Sequence, residues 1–260
     1  MSAAEEQELL AVAHEAAQAA AAELRARFGR VSDGVRAKSG PTDLVSDADL
    51  AAESAVRAVL ADRRPGDRIL AEEGGASGEG ELRWVVDPLD GTINFLFGIP
   101  VFAVSIACED ASGALAGVVL DPIREECFAA TRSGAATLHG EPIQTPARTD
   151  LSTAMVATGF SYDAGARARQ TEVLARVLPH VRDIRRFGAA ALDLAWCSCG
   201  RYDAYYERGL RRWDLAAGAL IAGRAGLAVR ELAAVGEQEP AGAVVAPPGL
   251  IEGLWGLVAG

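Results

Sequence analysis

The sequence predicts an α/β (α+β) protein built from two sheets with helices around them. Three observations carry this. The middle of the chain is rich in strand signals at the spacing of an antiparallel sheet. Beyond about Ile143, strand and helix signals alternate instead, and alanine-rich segments carry helical apolar periodicity. The 260 residues are 50% hydrophobic and 23% charged, which suits one large domain or two closely packed halves with an ample core. The division falls near residue 145, giving an N-terminal α+β half (1–145) and a C-terminal α/β half (146–260) within one compact unit.

Residues from about Ala4 to Phe28 read as an amphipathic helix, with Leu9, Val12, Leu24 and Phe28 among its apolar positions and Gly29 as its stop. A second helix is expected from Ser46 to Ala61, capped by Ser46 or Asp47, with Leu50, Val56 and Leu60 facing inward. Arg64-Pro-Gly-Asp67 reads as a turn, Arg68–Ala71 as a short strand ending on Glu72-Glu73, and Gly74–Gly80 as a flexible loop. Strands follow at Leu82–Val86, Val101–Cys108, Leu115–Leu120 and Glu126–Thr131. In the second half, strands at Met155–Gly159, Arg182–Phe187 and Asp203–Glu207 alternate with helices at Arg167–Leu178, Ala189–Cys199 and Leu215–Ala225.

The formal net charge of −11 disfavours non-specific binding to nucleic acid or anionic membranes, although bound cations reverse that sign locally. The N-terminal segment is acidic and alanine-rich, with no basic region ahead of an apolar core. No apolar run approaches the roughly 20 residues a membrane helix needs. A cytoplasmic protein is expected. Cys108, Cys127, Cys197 and Cys199 lack the paired spacing of a zinc site and read as reduced, structural thiols. His14, His139 and His180 are scattered and sit in no metal-ligand spacing.

The chemistry concentrates after the Leu82–Val86 strand, in Asp87-Pro-Leu-Asp90-Gly-Thr92. Pro88 fixes its own φ, so both carboxylates can enter one space beyond the strand. Two acids held that close repel unless they share a proton or a cation. The residues alone admit two readings: a turn with solvated acids, or one wall of a cation site. Gly91 and Thr92 add amide donors suited to an anion, and Glu72-Glu73 ends the neighbouring strand. Hard oxygen donors of this kind suit magnesium. Asp214, at the start of a helix, reads either as a ligand or as an acid that complements the helix dipole.

The run Trp84-Val-Val-Asp-Pro-Leu-Asp-Gly-Thr-Ile-Asn-Phe95 resembles the first signature of the inositol monophosphatase family, and Trp213-Asp-Leu-Ala-Ala-Gly-Ala-Leu-Ile-Ala-Gly-Arg-Ala-Gly226 resembles its second. Between and before them lie Lys38-Ser39, Asp43–Asp49, Glu72-Glu73, Arg186–Asp193 and Tyr205-Tyr-Glu207, in the family's order. The resemblance implies a layered αβαβα sandwich of the inositol monophosphatase and fructose-1,6-bisphosphatase type. It implies a first magnesium on Glu72, Asp87 and the Leu89 carbonyl, a second on Asp87, Asp90 and Asp214, and a weaker third by Glu72, with manganese as a substitute. Thr92, paired with Asp49, would help Glu72 deprotonate the attacking water. The Gly91 and Thr92 amides would bind phosphate, Glu207 would accept from substrate hydroxyls, and Gly188, Ala189 and Ala190 would line the same pocket. Lys38 would tune the metal site. A homodimer and lithium sensitivity are further implications.

These readings together predict a hydrolase acting on a small phosphate monoester, inositol monophosphate or a similar polyol phosphate. Histidinol phosphate, fructose 1,6-bisphosphate and nucleotide 3′-phosphates are rival substrates on the same fold, and a regulatory RNA- or protein-binding role is the rival of another class. Ala189 departs from the Ser or Thr common in the family there, which bears on polyol contacts. Asp90→Asn is expected to remove turnover and leave the fold intact.

Overall fold

The computed structural model describes residues 1–30, 35–40 and 43–260, without the side chains of residues 37–40 and 43–44. Helix α1 (Ala3–Arg27) opens on a reciprocal cap, in which the Ser2 amide donates to Glu5 Oε2 at 2.6 Å and the Glu5 amide donates to Ser2 Oγ at 3.3 Å. Its buried face is largely alanine, including Ala13, Ala16, Ala17, Ala20 and Ala21, which lets its neighbours approach closely. Strands β1 (Arg36–Gly40) and β2 (Asp43–Val45) form an antiparallel pair leading into α2 (Asp47–Arg63). Ser46 caps α2, and Val56 and Leu60 face inward as expected. Leu50 does not: it is 48% exposed, because the inward stripe of Ala48, Ala52, Val56 and Leu60 lies on the opposite side of the helix.

The strands β3 (Arg68–Ala71), β4 (Gly75–Ser77) and β5 (Arg83–Asp90) come next, then a short helix α3 (Thr92–Leu96) and strands β6 (Ala103–Asp110), β7 (Gly113–Asp121), β8 (Glu126–Thr131), β9 (Thr137–Leu138) and β10 (Glu141–Pro142). They form one eight-stranded sheet in the order β10-β9-β8-β7-β6-β5-β3-β4. Neighbours run antiparallel except β3 and β5, which are parallel. The Gly74–Gly80 stretch is therefore not simply a loop, since β4 pairs with β3 inside it.

The second half contributes β11 (Met155–Thr158), α4 (Ala164–Val177), β12 (Asp183–Arg185), α5 (Ala190–Ser198), β13 (Ala204–Arg208), α6 (Arg212–Arg224), β14 (Ala228–Leu232), β15 (Gly242–Ala246) and α7 (Ile251–Ala259). Its five strands are ordered β12-β11-β13-β15-β14. Helices α1 and α2 cover one face of the large sheet. Helices α5 and α6 fill the space between the two sheets, and α4 and α7 cover the far side of the small sheet. The result is the five-layered αβαβα sandwich. Small residues set its spacing: a Cβ on Gly117 of β7 would lie 3.0 Å from the Ala217 Cα of α6, and one on Gly218 would lie 2.7 Å from Leu194 of α5. Among the described residues, no helix is long and apolar enough to cross a membrane.

Candidate active site

Strand β5 runs on through Pro88 to Asp90 instead of ending at Val86, and its pairing with β6 explains the geometry of the acids. Asp87 pairs with Ser105 and Asp90 with Ala103, so three steps along β5 match two along β6. Residues three apart on a regular strand face opposite sides; the one-residue bulge returns Asp87 and Asp90 to the same side. Proline, which has no amide to donate, is at home in such a bulge. The Leu89 amide donates to Asp87 Oδ1 at 3.0 Å, which fixes that carboxylate.

Parallel pairing of β3 with β5 sets Ala71 against Val86, and the Glu72 amide donates to the Val86 carbonyl at 3.1 Å, so Glu72 emerges beside Asp87. The corner is held from α2. Buried Glu53 accepts from the Glu73 amide at 2.9 Å and the Gly74 amide at 3.0 Å, and pairs with Arg57 at 2.7 Å. A Cβ on Gly74 would strike the Glu53 carboxylate at 2.4 Å. Glu53 was invisible as a functional residue in the sequence, where it reads as a helix-surface acid.

Asp90 reaches across to the second half. It accepts from the amides of Ala190 at 3.0 Å, Ala191 at 2.8 Å and Leu192 at 3.4 Å, the unsatisfied first turn of α5. Because this carboxylate caps α5, Asp90→Asn is expected to lower stability as well as turnover. Gly91, at φ +96°, takes a left-handed turn, and a Cβ there would crowd the Val101 carbonyl at 3.0 Å and Ala189 Cβ at 3.3 Å. The Thr92 hydroxyl lies 2.9 Å from Asp49 Oδ1 and 3.1 Å from the Leu89 carbonyl. Asp49 is wholly buried, and its Oδ2 accepts from the Ser46 amide at 2.8 Å and the Ser46 hydroxyl at 2.6 Å.

Asp214, in the first turn of α6, accepts from the Arg211 amide at 2.6 Å. Buried Glu109 of β6 anchors that turn, accepting from Arg212 Nε at 2.8 Å. Glu207, next to last in β13, is half-buried and accepts from the Tyr205 hydroxyl at 2.7 Å. Gly188, at φ +80°, leaves room for the Arg186 guanidinium, 2.4 Å from where a Cβ would sit. The Lys38 side chain lies outside the described residues.

These groups influence one another electrostatically. Burial pushes Asp87 well above the ordinary carboxylate range, and Glu72, Asp90 and Asp214 push it further. Burial raises Asp90 to about 7, against the pull of the α5 amides. Asp214 is raised by burial, then by Asp90, Glu72 and Glu207, with the Arg211 amide opposing. Burial brings Glu207 to about 7, opposed by the Tyr205 hydroxyl and Arg186. Hard oxygen donors that repel one another fit a divalent cation. As they stand, no three His, Cys, Asp or Glu side chains among the described residues converge closely enough to hold an ion. The fit rests on donor chemistry and unrelieved repulsion.

Comparison with known proteins agrees with this geometry. The model of the inositol monophosphatase family matches residues 5–256. The inositol-1-monophosphatase SuhB of Mycobacterium tuberculosis is 44% identical over 267 residues, covering 95% of this chain and 91% of that protein. The Nus factor SuhB of Pseudomonas aeruginosa is 45% identical over 195 residues, covering 71% of this chain and 70% of that protein. Among solved structures, the extragenic suppressor protein suhB of Bartonella henselae superposes with a TM-score of 0.87 at 35% identity, covering 95% of this chain and 97% of that one. Inositol monophosphatase from Anabaena gives 0.82 at 31% identity, covering 96% and 95%. A five-layered sandwich with buried acids between its halves, matched over nearly its whole length, defines a phosphoric monoester hydrolase. The chain belongs to the inositol monophosphatase family.

Proposed function

We propose that the chain hydrolyses inositol monophosphate or a similar polyol phosphate in a magnesium-dependent reaction. The observation that carries the reading is the β5 bulge, which turns Asp87 and Asp90 to one side beside Glu72 and within electrostatic reach of Asp214. Glu72, Asp87, the Leu89 carbonyl, Asp90 and Asp214 would hold the ions, with manganese as a substitute. Magnesium, when bound, supplies positive charge that acidifies water and offsets charge on the phosphoryl group.

The chain's own residues do the rest. Asp49, fixed by both Ser46 donors, is a buried acceptor for the Thr92 proton. Thr92 can then take a proton from the attacking water, which Glu72 orients and helps deprotonate. The Gly91 and Thr92 amides hold the phosphate, beside Ala189 and Ala190 at the start of α5. Glu207 accepts from substrate hydroxyls and repels a second phosphate, which favours a polyol over a bisphosphate. No phosphorylated side chain is needed.

Phosphate release from inositol 1-phosphate, histidinol phosphate, fructose 1,6-bisphosphate and a nucleotide 3′-phosphate tests the reading. Inositol 1-phosphate should lead the panel, and preference for histidinol phosphate by orders of magnitude would sink the polyol assignment. The similarity to a Nus factor supports a second reading, a regulatory role on this scaffold; the net charge of −11 favours a protein partner over RNA in that role. The exposed apolar side chains Phe97 (75%) and Ile99 (46%) support the homodimer that the family implies, which sedimentation can check. Lithium inhibition is the accompanying expectation.

A further inference from the structure

We infer that Tyr205 is a positioning residue for Glu207, and that Gly159 provides the seat into which it draws the carboxylate. The inference rests on the phosphatase reading above and deepens it.

Tyr205 and Glu207 lie two apart on β13 and so face the same side of the small sheet. The Tyr205 ring is wholly buried in the layer between the sheets, among residues of α5 and α6, which leaves it little freedom. Its hydroxyl spends its one proton on Glu207 Oε2, at 2.7 Å. The neighbouring strand β11 runs parallel, with Ala157 beside Tyr205 and Thr158 beside Tyr206, so Gly159 falls next to Glu207. A Cβ on Gly159 would lie 2.0 Å from Oε2 and 2.2 Å from Oε1. Only glycine leaves that volume to the carboxylate.

A free glutamate side chain samples several rotamers, and fixing it costs up to about 2 kcal/mol of conformational entropy. The tyrosine hydroxyl and the glycine seat meet that cost before substrate arrives. One oxygen is engaged by Tyr205, and the remaining acceptor capacity is held in a fixed direction. Tyr205 and Glu207 stand on β13, whereas the Asp87–Thr92 segment belongs to β5 and α3, so the device acts on recognition of hydroxyls and leaves phosphoryl chemistry to the acids.

Tyr205→Phe deletes only the hydroxyl and keeps the ring packing. Steady-state phosphate release with magnesium is measured on inositol 1-phosphate and on phenyl phosphate, which has no hydroxyls to recognise. For inositol 1-phosphate, kcat/KM should fall roughly 5- to 30-fold, mainly through KM, consistent with losing a hydrogen bond to a charged group. The loss on phenyl phosphate should be at least about fivefold smaller. Gly159→Ala should show the same selective loss, and Tyr205→Phe should add little in a Glu207→Gln background. Equal losses on both substrates, or none on inositol 1-phosphate, overturn the inference while leaving the phosphatase reading standing. If the wild-type protein releases phosphate from neither substrate, the phosphatase reading falls and the positioning role falls with it.

Discussion

Asp90→Asn separates two roles that the sequence presents as one. The carboxylate is a candidate metal ligand, and it also receives the Ala190, Ala191 and Leu192 amides at 3.0, 2.8 and 3.4 Å. An asparagine keeps one acceptor oxygen and turns an NH2 group toward amides that are themselves donors. Losing a charge-assisted acceptor costs about 1.5–3 kcal/mol, and losing the negative charge at a helix N-terminus about 0.3–1 kcal/mol. Relief of a buried, mutually repelled charge offsets part of this, since Asp90 already titrates near 7. The net is a destabilisation of about 1–3 kcal/mol, or a fall in Tm of roughly 3–10 °C for a chain of this size. Asp214→Asn disturbs one amide, that of Arg211 at 2.6 Å, and should cost less. Thermal denaturation in chelator, with phosphate release in magnesium, checks both roles. Activity should fall at least about 100-fold in each variant. An unchanged or raised Tm for Asp90→Asn would refute the capping role, and surviving turnover would remove Asp90 from the metal set.

Thr92→Val should lower kcat by about 100-fold or more, with a stability loss of about 1–3 kcal/mol because Asp49 Oδ1 loses its donor; steady-state kinetics and a melting curve read the two effects. In chelator, stability should decline as pH rises. Asp87, Asp90 and Asp214 are raised in the folded chain, so the stability they contribute is present below the ordinary carboxylate range and is lost as pH climbs through about 7, where Asp90 titrates. A Tm higher at pH 8 than at pH 5.5 in chelator would contradict this, and magnesium should flatten the decline. Burial pushes Cys108 to about 12 and Cys127 to about 11, so maleimide at pH 7.5 should label half-buried Cys199 first and reach Cys108 and Cys127 only on unfolding, as read by peptide mass.

What the sequence disclosed, and what it hid, follows from the range over which each signal acts. Glu126–Thr131 was legible as a strand because turn signals bound a short apolar run, and the start of α2 as a cap at Ser46 or Asp47, of which Ser46 is the cap, completed by Asp49. Asp87 and Asp90 read as neighbours, but the bulge that aligns them is a property of pairing with β6. Hydrophobicity alone points Leu50 inward, whereas the small Ala48 and Ala52 form the buried stripe of α2. Strands β14 and β15 and helix α7 carry weak local signals; Gly242–Ala246 is a short run without alternation, stabilised by pairing with β13 and β14. Glu53 and Gly159 act through partners distant in the chain: Glu53 accepts from the Glu73 amide 20 positions on, and Gly159 seats the Glu207 carboxylate from a neighbouring strand. A single sequence carries no local mark of such contacts.

On the proposed function, the acids between the two halves work by holding divalent cations. The most direct test is phosphate release from inositol 1-phosphate by chelator-stripped protein titrated with magnesium, beside calorimetric titration of the same preparation. Turnover should be absent without metal and should rise with occupancy, and Asp87→Asn should abolish both turnover and calorimetric binding while the protein remains folded. Phosphate release undiminished in chelator, or turnover retained in Asp87→Asn, would contradict the account.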